Sequence, residues 1–184
     1  MLPTILIVIA ALIVILVIFI STRPNSFAVK RSLTIPASPA AVFSHVNDLH
    51  LWQAWSPWAK LDPNAKNNFT GAPSGTGASM SWTGNNKVGQ GRMTIADSRP
   101  NEFIRFNLEF FKPFKATNTA EFTFQPQGSG TLVTWNMSGK NNFMGKLFSL
   151  IINCDKMVGG QFEQGLASLS EVSTSPTQKQ LLKN

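Results

Sequence analysis

Few residues in this chain have the types and spacing that catalysis or metal binding needs. The two histidines, His45 and His50, lie close together, but no Cys or Glu-x-x-His pattern completes a metal-ligand set. His45 therefore reads as a helix-surface residue. The single cysteine, Cys154, excludes an intramolecular disulfide and a cysteine-based zinc site, and its apolar neighbours suit a small buried hydrophobe. There is no Gly-x-Ser-x-Gly elbow, and the GAPSGTG run from Gly71 to Gly77 lacks the Gly-Lys-Ser/Thr ending of a phosphate loop, so it reads as a turn. The most suggestive polar set is Arg105, Asn107, Glu109, Thr119 and Glu121, spaced at alternate positions on two neighbouring segments. Turned into a cavity, Arg105 and Glu109 would make acid–base chemistry credible. Turned to solvent, the set would pair across a sheet at modest energy. A one-residue slip of register exchanges these outcomes, and the clean apolar alternation favours the solvent-facing one.

Two elements of the chain stand apart from this chemistry. Ile5 to Ile20 contains no polar side chain, and with its flanks it forms about 20 residues, or about 30 Å of helix, the thickness of a bilayer core. No Lys or Arg precedes it and no small-residue cleavage site follows, so residues 1–21 read as an uncleaved single-pass anchor. Arg23, Lys30 and Arg31 follow closely, which places the rest of the chain on the cytoplasmic side. Residues 22–26 form a linker around Pro24 and Asn25.

The net charge is +7, but the basic residues are scattered singly and form no stripe interleaved with aromatics, so no nucleic-acid partner is expected. The chain has 14 Phe, 5 Trp and 6 Met but no Tyr, an aromatic inventory suited to apolar contact.

Periodicity organises residues 27–172. Phe27 to Ile35 alternates as a strand. Ser38 caps a helix whose first position is Pro39, and Ala40, Val42, Phe43 and Val46 supply its apolar side. Leu49 to Trp55 forms a second short helix, broken at Ser56-Pro57. After an Asn-rich loop with an edge strand near Asn68–Gly71, period-two segments follow. They run from Gly75 to Thr83, Val88 to Ala96, Glu102 to Phe111, Ala116 to Gln125 and Thr131 to Ser138. Gly89 and Gly91 predict a bend or bulge. Phe143 to Val172 reads as one long helix, with Gly159-Gly160 and Gly165 marking a kink or a close approach. Residues 173–184 read as a disordered tail.

This order predicts an α+β helix-grip fold: a curved antiparallel sheet wrapped around a long C-terminal helix, with two short helices after the first strand. The sequence is similar to the SRPBCC superfamily, which includes START domains, birch-pollen-type allergens and polyketide cyclase/dehydrase-like lipid-transport proteins. Arg31-Ser32, Ile35, Ala37-Ser38-Pro39-Ala40, Val42-Phe43, Val46-Asn47-Asp48-Leu49, Trp52 and Trp55-Ser56-Pro57-Trp58 carry the resemblance, supported by Gly71, Gly75, Gly77, Trp82, Gly89, Gly91, Gly130-Thr131 and Trp135. It looks closest to the membrane-anchored bacterial subgroup. The resemblance implies an internal cavity for a hydrophobic small molecule or lipid, with no catalytic residue, metal or cofactor. A cyclase- or dehydratase-type enzyme and a chaperone-activator-like protein-interaction module are the alternatives.

The expected cavity residues are Trp52, Trp55 and Trp58 at the rim and Met80, Trp82, Met93 and Ile95 on the first strands. Phe106, Leu108, Phe110, Phe122, Phe124, Trp135 and Met137 follow on the later strands, and Phe148, Met157 and Phe162 on the helix. Packed as an ordinary core, the same residues would leave no room for a ligand.

Overall fold

The computed structural model describes residues 2–141, 143–151 and 153–175, without the side chains of residues 144, 148, 149, 151 and 154. It opens with a 20-residue helix, α1 (Leu2–Ser21), exposed along its length except at Ile20. By length and composition α1 is able to cross a membrane.

Seven strands form one antiparallel sheet: β1 (Ser26–Ile35), β2 (Lys66–Gly71), β3 (Ala78–Thr83), β4 (Gln90–Arg99), β5 (Phe103–Lys112), β6 (Ala116–Gln127) and β7 (Gly130–Lys140). Their order is β1-β7-β6-β5-β4-β3-β2, so the first strand closes onto the last while β2 to β7 meander. Between β1 and β2 lie α2 (Pro39–Asn47), a 3-10 turn (Trp52–Ala54) and α3 (Pro57–Leu61). After β7 come α4 (Phe143–Ile151) and α5 (Cys154–Thr174), and α5 packs against β1, α2 and α3. This is the helix-grip arrangement.

Local chemistry explains these elements. Ser38 caps α2 by accepting a hydrogen bond from the Ala41 amide at 3.3 Å, with Pro39 in the first turn. In the β4–β5 ladder, Gln90 and Gly91 face Lys112 and Phe110, which leaves Phe111 as a bulge residue; Ala96 is the second one, opposite Phe106 and Arg105.

The long helix expected from Phe143 to Val172 is two helices. The Asn153 side chain accepts from the Lys156 amide at 2.9 Å, which caps a new helix where a continuous one was expected. Pro57 ends one turn and also starts α3, because proline fits a first helical position. The final helix runs on to Thr174 with Ser173 buried, two residues into the expected tail, and residues 176–184 lie outside the described residues.

His45 is also corrected. It is buried, because α2 is wedged between α5 and strands β6 and β7 and hides Ala41, Val42, Phe43 and Val46 as well. Neither ring nitrogen of His45 has a hydrogen-bond partner among the described residues. The Cys154 side chain lies outside the described residues.

Candidate functional site

The strand registers stack the inward-facing residues in rows across the sheet, and the rows divide the concave face in two. At one end, Phe124 pairs with Val133, and Phe122 sits between Ile104 and Trp135. Over these rows lie α2, the 3-10 turn and the second half of α5. Phe43 meets Phe124 edge-on at 5.5 Å, Trp55 meets Phe122 at 6.1 Å, and Leu166 and Leu169 are buried. That end is filled.

The other end is open. The next row is Ile95, Phe106, Ala120 and Met137, followed by Met93 with Leu108 and by Trp82, Gly91 and Phe110. Here the helices leave a cavity of about 320 Å³, within the range of small-molecule pockets. Trp52, Trp58, Met80, Trp82, Met93, Phe106, Leu108, Phe110, Trp135, Met137 and Phe162 all line it.

Five of the expected cavity residues lie elsewhere. Trp55, Phe122 and Phe124 belong to the packed end, and Ile95 lies in the first row of the open end but off the cavity lining, each 2 % exposed or less. Met157 is 54 % exposed: with α5 capped at Asn153, Val158 and Phe162 share the cavity side of the helix and Met157 falls off it. The Phe148 side chain lies outside the described residues.

Sequence reasoning missed the polar mouth, which Gln53, Asn67, Asn86, Lys87 and Lys112 contribute together with Ala65, Val88, Gly89 and Pro113. Most of these are turn residues, where two-residue periodicity carries no information. Ala120 could have been found, since it alternates with Phe122 and Phe124; its small side chain leaves a dip in the cavity floor.

Trp135 organises the wall. It stacks on Phe162 at 4.0 Å and 7° and lies against Phe122 at 4.8 Å, while Trp52, Trp55 and Trp58 meet it edge-on at 6.0, 5.7 and 5.7 Å. The approach is close enough to need glycine, since a Cβ at Gly165 would fall 2.8 Å from the Trp135 ring. Gly91 does the same for Trp82, whose ring would lie 2.4 Å from a Cβ there. The Trp82 indole lies over Gly91 and donates to the Val88 carbonyl at 3.2 Å. Trp55 donates to the His45 carbonyl at 3.0 Å. The Trp135 indole nitrogen is buried and has no partner among the described residues.

Charge is kept off the cavity floor. Arg92 bonds Glu109 at 2.9 Å and Arg105 bonds Glu121 at 3.0 Å on the outer face, the solvent-facing alternative for this polar set. Arg31, on the inner side of β1, fixes the start of α5. It donates to both Asp155 carboxylate oxygens at 3.0 Å and to Glu163 at 2.7 Å. These hydrogen bonds push the Arg31 pKa up and, outweighing desolvation, hold the Asp155 carboxyl below its usual value. Among the described residues, no three His, Cys, Asp or Glu side chains gather to hold a metal ion.

A family model described as polyketide cyclase / dehydrase and lipid transport matches residues 26–174. A search of curated proteins finds no match. Among solved structures, protein CV1439 from Chromobacterium violaceum is similar at 15% identity and a TM-score of 0.58, over 83% of this chain and 99% of that one. Ara h 8.0201 is similar at 10% identity and 0.54, over 82% and 99%. The Aha1 dimer from Colwellia psychrerythraea is similar at 14% identity and 0.53, over 81% and 99%. At such identities the likeness to these structures concerns the fold.

Proposed function

The chain belongs to the polyketide cyclase / dehydrase and lipid transport family, and from that premise we propose that it binds or carries a hydrophobic small molecule or lipid without catalysing a reaction on it, held at a membrane by α1. The observation that carries this reading is the open half of the sheet: a cavity of about 320 Å³ with aromatic and methionine walls and a mouth of amides and lysines. Apolar walls with a few polar groups at one end suit an amphiphile whose body is buried and whose head stays near water. The described lining holds two lysines but no carboxylate and no histidine, so the acid–base pair that a cyclase or dehydratase reading would draw on is outside it. For α1, the basic residues Arg23 and Lys30 after the helix support a cytoplasmic domain.

The test is to purify the full chain in detergent, extract it with solvent and identify the bound molecules by mass spectrometry. An apolar species in the wild type that is lost when Ala120→Trp blocks the cavity is the expected result. A chain that is consistently empty and shows no thermal shift across a panel of lipids would overturn the reading. A C-terminal reporter active only when exported would reverse the assigned side.

A further inference from the structure

We propose that the mouth of the cavity is a membrane-docking face, seated on an anionic phospholipid surface so that ligand passes directly between bilayer and cavity; this rests on the reading of α1 as an anchor and of the cavity as a lipid site. The argument begins with register. Ser26 pairs with Lys140, Asn118 with Gly139, Phe110 with Ala116, Gln90 with Lys112, and Lys66 and Gln90 both with Thr83. One end of the whole sheet is therefore defined by Ser26, Lys140, Ala116, Lys112, Gln90, Thr83 and Lys66. The mouth residues Asn67, Lys87, Lys112 and Pro113 belong to this end.

The anchor enters at the same end. Only residues 22–25 separate α1 from β1, and five steps of extended chain span at most about 18 Å. The end of α1 packs against α4, with Lys146 donating to the Ser21 carbonyl at 2.9 Å. The cavity thus opens toward the side from which the anchor comes.

The surface around the opening has the composition of a lipid contact. Phe111 is 43 % exposed and Phe114 55 % exposed, at the end of β5 and in the β5–β6 turn. The bulge places Phe111 outside the ladder. Phe143 at the start of α4 and Met157 in the first turn of α5 are also exposed, at 45 % and 54 %. Outside α1 the exposed large apolar residues are these four with Leu33 and Leu51, among the described residues.

Arg23, Lys66, Lys87, Lys112, Lys115 and Lys140 lie along the same end, all exposed and without an ion-pair partner among the described residues. Of the acids nearby, Glu109 is bonded to Arg92 and Asp155 to Arg31, while Asp62 accepts from the Asn85 amide at 2.6 Å. Exposed phenylalanine flanked by unpaired lysine matches acyl chains beneath anionic headgroups.

The experiment uses the full chain in vesicles of phosphatidylcholine, with and without phosphatidylserine. In a Cys154→Ser background, an environment-sensitive fluorophore is placed at Phe114→Cys or, as a control at the opposite end of the sheet, at Ser129→Cys. The probe at 114 is expected to be quenched by brominated acyl chains, more strongly with phosphatidylserine, while the probe at 129 is not. Lys112→Glu with Lys115→Glu should reverse the phosphatidylserine effect and slow the transfer of a fluorescent fatty acid from vesicle to protein on the order of tenfold. If the protein stays in vesicles through carbonate extraction and takes up the fatty acid, yet probes 114 and 129 quench alike, the docking face is refuted and the binding function stands. If it leaves the vesicles, the anchor reading fails and the docking face with it.

Discussion

Replacing Ala120 with leucine separates an open cavity from a packed core by the sign of a stability change. Ala120 is buried between Phe106 and Met137 in the cavity floor, where its small side chain leaves space. Leucine adds three carbons that would leave water for that space, worth about 2.4 kcal/mol at about 0.8 kcal/mol per buried CH₂. Ordering the new side chain returns about 0.5–1 kcal/mol, so the ligand-free protein should gain about 1.5 kcal/mol. For a domain of this size that raises Tm by about 3–6 °C. A filled site predicts the reverse, since overpacking costs about 1–3 kcal/mol.

The ligand then inverts the order. At a hundredfold excess over Kd it stabilises the wild type by about 2.7 kcal/mol and leaves the blocked variant where it was. The assay is thermal unfolding of the full chain in detergent, followed by tryptophan fluorescence, after exhaustive lipid removal and again with added lipid. Crossing Tm values are the expected result. A ligand-free Ala120→Leu protein that melts below the wild type would refute the reasoning, because it would mean that protein atoms already fill the space.

The adjacent glycines of α5 should respond in opposite directions to alanine. Gly160 has nothing within 4 Å of a new Cβ, so Gly160→Ala should stabilise by about 0.5–1 kcal/mol in denaturant titration. A Cβ at Gly159 would overlap the Arg31 guanidinium, so Gly159→Ala should expel Arg31 from Asp155 and Glu163 and destabilise the protein. The Asp155 carboxyl, bonded to Arg31, titrates below its unfolded value near 3.9. Its contribution is present above that pH and disappears as pH falls through the lower folded value, so unfolding free energy measured from pH 6 downward should fall more steeply in the wild type than in Asp155→Asn. His45→Phe should stabilise by about 1 kcal/mol in chemical denaturation, because it removes a buried ring with two unpartnered nitrogens.

How much of this could be read in the sequence follows from where local periodicity governs. Ile104, Phe106, Leu108 and Phe110 alternate with polar neighbours, and all four face inward, because a two-residue period is a property of the strand itself. The cap at Ser38 was equally legible, since it depends on its own first turn. Periodicity failed where a helix has to choose its phase. Whether Met157 or Val158 faces the sheet depends on the new cap at Asn153, and one residue rotates the side chain by about 100°. His45 failed for a related reason, because a short helix touched on several sides buries more than one stripe. The mouth residues were illegible because turns are placed by the strands they join.

The two halves of the sheet differ in what lies over them, more than in their own composition. Both have aromatic rows: Phe122 and Phe124 at one end, Phe106 and Phe110 at the other. The first pair is covered by α2, Trp55 and the leucines of α5, whereas the second faces the cavity, whose other walls include Trp52, Trp58, Val158 and Phe162. The hydrogen bonds follow the same division. Trp55, in the filled end, has a backbone acceptor for its indole, and Trp135, at the boundary, has none among the described residues. A buried donor without a partner costs about 1–3 kcal/mol, and in a sequence selected for stability alone a phenylalanine would remove that cost. The same aromatic composition therefore stabilises the fold where helices cover it and walls an open cavity where they do not.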